Sequence, residues 1–171
     1  MRDPKQIRDR ITDLRRVPAS DLIANPLNWR RHPQSQSDAL KGVLDDIGFA
    51  DAVIARETPG GLELIDGHLR TDVMGDEPIP VLVVDLNDAE SLQLLVTLDP
   101  LAMMAEMDAS ALIGLLEHIE TSDPDVSTLL DTLTQDAAAQ IAAESHMDKD
   151  SGGFWTPPDP SLATGEHADE Y

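Results

Sequence analysis

Asp66, His68 and Arg70 put a carboxylate, an imidazole and a guanidinium within the five residues Asp66-Gly67-His68-Leu69-Arg70. A carboxylate can take a proton, an imidazole can move one near neutral pH, and a guanidinium can grip an anion with two parallel donors. Gly67 between them permits close approach of a ligand or an unusual backbone dihedral. Between residues 57 and 148 Arg70 is the only lysine or arginine. A lone cation in so acidic a stretch either pairs with a structural carboxylate such as Asp66 or Asp72, or is kept for an anionic ligand. By residue type and spacing alone, the cluster admits a phosphate-binding turn, proton chemistry by His68 or Asp66, or a plain strand-to-helix corner.

The flanking residues build that corner. AVIARE (52–57), the turn Thr58-Pro59-Gly60-Gly61 and LELID (62–66) read as two strands folding back on one another. GHLRTDVMG then opens a short helix, so the corner presents backbone N–H groups and a positive dipole end. PIPVLVVDL (78–86) is apolar on both faces, which predicts a central strand. Upstream, residues 3–14 read as a short polar helix capped by Asp3, with Pro4 in its first position and Ile7, Ile11 and Leu14 at helical spacing. Val17-Pro18 opens an extended segment to Ile23, and NPLNWRRHP (25–33) reads as an ordered loop. Ser37-Asp38 is expected to begin a helix with Leu40, Val43, Leu44 and Ile47 as its apolar face, ended by a left-handed Gly48. Asp88 is expected to cap a helix reaching residue 98.

Beyond Asp99-Pro100, residues 101–143 are predicted helical, with a break near Ser122-Asp123-Pro124 and a stripe of Leu112, Leu115, Leu116 and Ile119. Residues 144–171 are rich in Gly, Pro, Asp and Ser and are expected to be disordered, with Phe154-Trp155 in GFWTPPDP as a candidate docking motif. The expected organisation is a basic N-terminal helix (1–14), an α/β domain (15–100), an acidic helical extension (101–143) and an acidic tail (144–171).

Composition narrows the chemistry. There is no cysteine, which removes disulfides, thiolate metal sites and thiol catalysis. That fits a cytoplasmic protein, as does the lack of an apolar signal-like region in MRDPKQIRDR or of a membrane-spanning run. The net charge of −21 is unevenly spread. Residues 1–41 hold nine basic residues against five acids, whereas the remainder holds three against 28. Such a body repels phosphate backbones, so DNA contact is expected only through the basic head or through a DNA-acting partner. Residues 101–143 contain no Lys or Arg, which argues against a base-reading helix there.

The order of the motifs resembles the N-terminal domain of the ParB/sulfiredoxin superfamily over residues 15–100. Asn25, Pro26 and Arg30 match an Asn-Pro-x-x-x-Arg pattern. Gly48, Asp51 and Ala52 align with a Gly…Gln-Pro segment, and Gly67, His68 and Arg70 align with a Gly-Glu-Arg-Arg-type box. The resemblance implies an α/β (α+β) fold, a mixed sheet with flanking helices, that binds CTP or ATP with Mg²⁺. It also implies that Gly67, His68, Arg70, Gly48, Asp51, Asn25 and Arg30 hold the nucleotide and Asp99 the metal. The departures narrow this. His68 stands where sulfiredoxins carry cysteine, which excludes sulfinic-acid reduction, and Leu69 replaces one arginine of the ParB box. IDGHLR resembles the Asp-Gly-His-x-Arg boxes of free-standing superfamily domains, small-molecule kinases among them, more than the ParB box, while NPLNWRRHP and TLDPLAMMAE look most like ParB-like domains found with DNA methyltransferases in phages and mobile elements. Three readings result: a nucleotide-binding ParB-like domain working with a DNA-modifying or DNA-maintenance partner, with a second copy of the chain as a further candidate partner; a phosphotransferase or nucleoside triphosphatase using His68 or Asp66; and a degenerate scaffold. The missing cysteine and second arginine favour binding over catalysis.

Overall fold

The computed structural model describes residues 7–150. Its elements are β1 (Ile11–Pro18), α1 (Gln34–Ile47), β2 (Val53–Thr58), β3 (Gly61–Asp66), α2 (His68–Met74), β4 (Pro78–Val84), α3 (Asp88–Met103), α4 (Ala109–Leu116) and α5 (Pro124–Asp150). The four strands form one mixed sheet in the order β1-β4-β2-β3. β4 runs antiparallel to β1 and parallel to β2, while β2 and β3 form a hairpin closed at Thr58 and Gly61. The α/β fold class expected from sequence is therefore present.

β4 is central because both of its faces are apolar. Ile79, Val81 and Val83 enter a core with Val53, Ala55, Leu64, Ala19 and Leu22, against which Val17, Phe49 and Met74 pack. Val84 on the other face meets Ile65 and Leu95 of α3. Burying one Val or Ile side chain stabilises a fold by roughly 1.5–3 kcal/mol, so this strand anchors the sheet. α3 begins at a capping box in which Asn87 Oδ1 accepts the Glu90 N–H at 3.0 Å and Glu90 Oε2 accepts the Asn87 N–H at 3.1 Å. The cap is thus Asn87, not the expected Asp88. The helix also runs on through Asp99-Pro100 to Met103 instead of ending near residue 98.

The N-terminal helix expected over residues 3–14 is corrected by β1, which already occupies Ile11–Pro18; residues 1–6 lie outside the described residues. The helical spacing of Ile7, Ile11 and Leu14 would have buried one face. Instead all three side chains are exposed, and the segment gains a backbone ladder with β4 from Ile11↔Val84 to Pro18↔Pro78. Tertiary pairing here outweighs a weak periodic signal. α1 likewise starts three residues before Ser37, after an N-cap at Pro33, and buries Ala39 and Gly42 while Ile47 stays exposed. It does end at Gly48 with φ 85°.

The helical extension is present as α4 and α5, which pack on each other. Asp123 opens α5 by accepting the Asp125 and Val126 N–H groups, both at 2.9 Å. α5 lies close against α1: a Cβ on Gly42 would fall 2.7 Å from Val126 Cγ2. The expected disorder from residue 144 is corrected for 144–150, which continue α5; residues 151–171, with Phe154 and Trp155, lie outside the described residues. No helix of the described residues is long and apolar enough to cross a membrane.

Candidate functional site: a cleft between the turn and the helical extension

Gly67 makes the strand-to-helix corner tight. It adopts φ 96° and ψ 20°, and a Cβ there would fall 2.7 Å from Val53 Cβ. Both the backbone conformation and the space exclude a side chain. The Gly67 carbonyl accepts the Thr71 N–H and hydroxyl, each at 3.0 Å, which fixes the first turn of α2. His68 and Arg70 therefore leave the corner in defined directions.

Their partners come from distant segments. The Asn25 N–H donates to His68 Nε2 at 3.2 Å, and Asn25 Oδ1 accepts the Leu27 N–H at 2.9 Å. Burial of the ring pushes the His68 pKa below its ordinary value; the carboxylates of Asp66 and Asp72 oppose this and Arg30 adds to it. A neutral ring is what the Asn25 N–H requires, because Nε2 must accept. Arg70 donates to Asp51 at 2.7 Å and reaches Asp66 at 3.5 Å. Arg30 pairs with Asp99, reaches Asp66 at 3.8 Å and lies over the Trp29 ring, 5.5 Å from its centroid.

These groups line an open cleft of about 800 Å³, within the range of ligand pockets. Arg30, Asp66, Gly67, His68, Arg70 and Asp99 all contribute to its surface, although they come from a loop, the end of β3, a turn, α2 and α3. The other expected residues are placed differently. Asn25 stands behind His68, Asp51 holds Arg70 from outside, and Gly48 ends α1 without lining the cleft. Asp99 pairs with Arg30, and among the described residues no three His, Cys, Asp or Glu side chains gather to hold a metal by themselves. A Mg²⁺ ion at Asp66 or Asp99 would need phosphate oxygens and waters to complete its shell.

Sequence reasoning missed two walls of the cleft. Ser35 and Gln36 reach it because α1 starts early, and Asn28 and His32 come from the loop before it. Asp125, Thr128, Leu129 and Thr132 form a stripe on α5. Their i, i+3, i+4, i+7 spacing was legible, but a mixed polar and apolar stripe reads as an ordinary helix surface. Nothing local to it announces a cleft 60 residues from Gly67 in sequence.

No protein-family model and no sequence among the curated proteins matches this chain. Solved structures do. Over 77% of this chain and 79% of the other, the fold is similar to that of C-terminally truncated chromosome-partitioning protein ParB from Caulobacter crescentus, complexed with CTP-gamma-S, at TM-score 0.56 and 18% identity. Sulfiredoxin from Arabidopsis thaliana is matched over 49% of this chain and 98% of its own, at TM-score 0.42 and 15% identity. The same Caulobacter ParB complexed to the centromeric parS site is matched at TM-score 0.43 and 18% identity, over 72% and 69%. The chain has a ParB-like fold.

Proposed function

We propose that this chain is a ParB-like nucleotide-binding domain that holds CTP or ATP with Mg²⁺ in the cleft and acts with a DNA-modifying or DNA-maintenance partner. The observation that carries this is convergence: Arg30 and Asp99, each about 30 residues or more from the turn in sequence, line one cavity of nucleotide size with Asp66, Gly67, His68 and Arg70. The ParB of similar fold is described with CTP-gamma-S bound, which supports the same ligand class here. Arg30 and Arg70 would contact phosphate oxygens, and Asp66 and Asp99 would share the magnesium ion with them. The cation is required on electrostatic grounds, because Asp66, Asp99 and Asp125 outnumber the two arginines in the lining. Mg²⁺ supplies charge neutralisation when bound.

Binding suits this arrangement better than catalysis, since His68 Nε2 is occupied by the Asn25 N–H. The scaffold reading is supported by one fact: both arginines already have carboxylate partners. The partner would meet either the basic residues of the first 41 positions or the acidic helices; a DNA methyltransferase and a second copy of the chain are the candidates carried over from the resemblance. Thermal shift with CTP, ATP, GTP and UTP, each with Mg²⁺, tests the proposal. A ligand at 100 times its Kd adds about 2.7 kcal/mol, roughly 5–10 °C for a chain of this size. Arg70→Ala is expected to weaken binding by roughly 10- to 100-fold, the loss of one charge-assisted contact. Absence of any shift with all four nucleotides leaves the scaffold reading. Phosphate release during the titration would instead favour a nucleoside triphosphatase.

A further inference from the structure

We infer that α5 forms a wall of hydrogen-bond acceptors that selects a nucleobase carrying an exocyclic amine; this rests on the nucleotide reading above. Asp125, Thr128 and Thr132 are the polar residues α5 gives the cleft, and they lie on one helical face. Thr128 Oγ1 donates its proton to the Pro124 carbonyl at 2.8 Å, and Thr132 Oγ1 to the Thr128 carbonyl at 2.9 Å. Each hydroxyl therefore keeps only lone pairs for a ligand, and the Asp125 carboxylate is an acceptor as well.

The rest of the lining is mixed: Arg30 and Arg70 bring donors, together with the Asp66 and Asp99 carboxylates that pair with them. Asn28 Oδ1 accepts the Arg30 N–H at 3.3 Å, and Gln36 Oε1 stands 2.9 Å from His32 Nδ1. Their amide NH₂ groups remain as donors beside the arginines. α1 packs against both α2 and α5, and gives the space between them the apolar surface of Ala39, Leu40 and Val43.

With phosphates and their magnesium ion at the arginines and carboxylates, as the nucleotide reading has them, the flat apolar end of the ligand is left for the α1 surface. Its base lies there with an edge toward α5. Cytosine N4 and adenine N6 are amines, whereas uracil and hypoxanthine carry a carbonyl oxygen at the same positions. A carbonyl facing α5 would meet lone pairs unless a threonine gave up its helix bond. The amine should therefore be favoured roughly tenfold, the order of a single hydrogen bond. These α5 residues lie outside 15–100, the stretch that carries the sequence motifs, whereas the structural match reaches over 77% of the chain.

The experiment is calorimetric titration of the full chain with CTP, UTP, ATP and ITP, each with Mg²⁺. It is repeated on the Thr128→Val, Thr132→Val double variant, which keeps the β-branched shape and removes the acceptors. The wild type should prefer CTP over UTP and ATP over ITP by about tenfold, and the double variant should bring both ratios toward one. Asp125→Asn adds a donor and should improve UTP and ITP. Arg70→Ala should weaken all four nucleotides alike. Equal affinities within each pair in the wild type, or a preference unchanged in the double variant, overturns the acceptor wall and leaves the nucleotide reading standing. Failure of all four to bind overturns both. Circular dichroism of each variant separates a lost contact from a lost helix.

Discussion

Two arginine–carboxylate networks in this molecule differ in how completely they use the guanidinium. Arg10, just before β1, donates to Asp85 Oδ1 at 2.6 Å, to both oxygens of Glu90 at 2.9 and 2.8 Å, and to the Asp85 carbonyl. Glu90 is itself part of the capping box of α3, so Arg10 ties the N-terminal edge strand to that helix. In the cleft the same chemistry is looser. Asp66 is shared between two arginines at 3.5 and 3.8 Å, Arg70 has its near partner in the exposed Asp51, and Arg30 keeps one close pair with Asp99. An exposed pair such as Arg70–Asp51 contributes little to stability, so a phosphate can displace it at small cost. A closed network reads as structure and an open one as a site.

The comparison breaks most completely if the corner that orients the open network is moved. Gly67→Ala must place a methyl against Val53 at a backbone position with φ 96°. Overpacking and left-handed strain together should cost about 3 kcal/mol, read as a fall in the urea midpoint. A variant as stable as wild type would mean that the corner yields, and that Arg70 is not held by it.

The closed network gives the next largest effect, and a different one. Arg10→Ala should lower the melting temperature while leaving nucleotide affinity within about twofold, because Arg10 does not line the cleft. Its signature is acid sensitivity. The hydrogen bonds from Arg10 and then the Asn87 N–H hold the Glu90 carboxyl at about 2, against an ordinary 4.5. A lowered carboxyl pKa gives stability that is fully present above 4.5 and is lost as pH falls toward 2. Glu90→Gln keeps the capping box but removes that term. The melting temperatures of wild type and variant should therefore differ at pH 6 and converge on acidification. A constant difference across the scan would show that the charge is not what Arg10 recognises.

The same contrast explains what the sequence made legible. β2, β3, α2 and β4 each announce themselves locally, through alternation, a Pro-Gly turn and a doubly apolar run, and they deliver Gly67, His68 and Arg70 to one corner. β1 was misread because an edge strand with Ile11 and Leu14 exposed carries no period-two burial to detect. Its reason for existing is the ladder with β4, about 70 residues away in sequence. Half the cleft was hidden for the same reason. Arg70 was visible as a lone cation in an acidic stretch and Arg30 through the Asn-Pro-x-x-x-Arg pattern, but the pairing of Arg30 with Asp99 and the approach of α5 depend on packing at Gly42 and along α3. Residue types mark a site; long-range packing decides its walls.

The smallest effect sharpens the comparison by separating the two networks on one pH axis. His68 is held neutral chiefly by burial, which lowers its pKa below 6.5, and its Nε2 accepts the Asn25 N–H. Above pH 6.5 the ring is neutral in both folded and unfolded chains and adds no slope. Below it the unfolded chain takes up the proton first, so stability falls until the pH passes the lower folded value. His68→Gln offers an amide oxygen to the same N–H and cannot titrate. Wild type and variant should run parallel well above pH 6.5, and below it the wild type should lose more stability. The His68 divergence sets in from about pH 6.5, above the range in which the Glu90 contribution is lost, so one melting series on acidification meets the cleft before the β1 clamp. Parallel curves throughout would mean that the neutral ring is not required, and that His68 is free to carry the proton that the binding reading denies it.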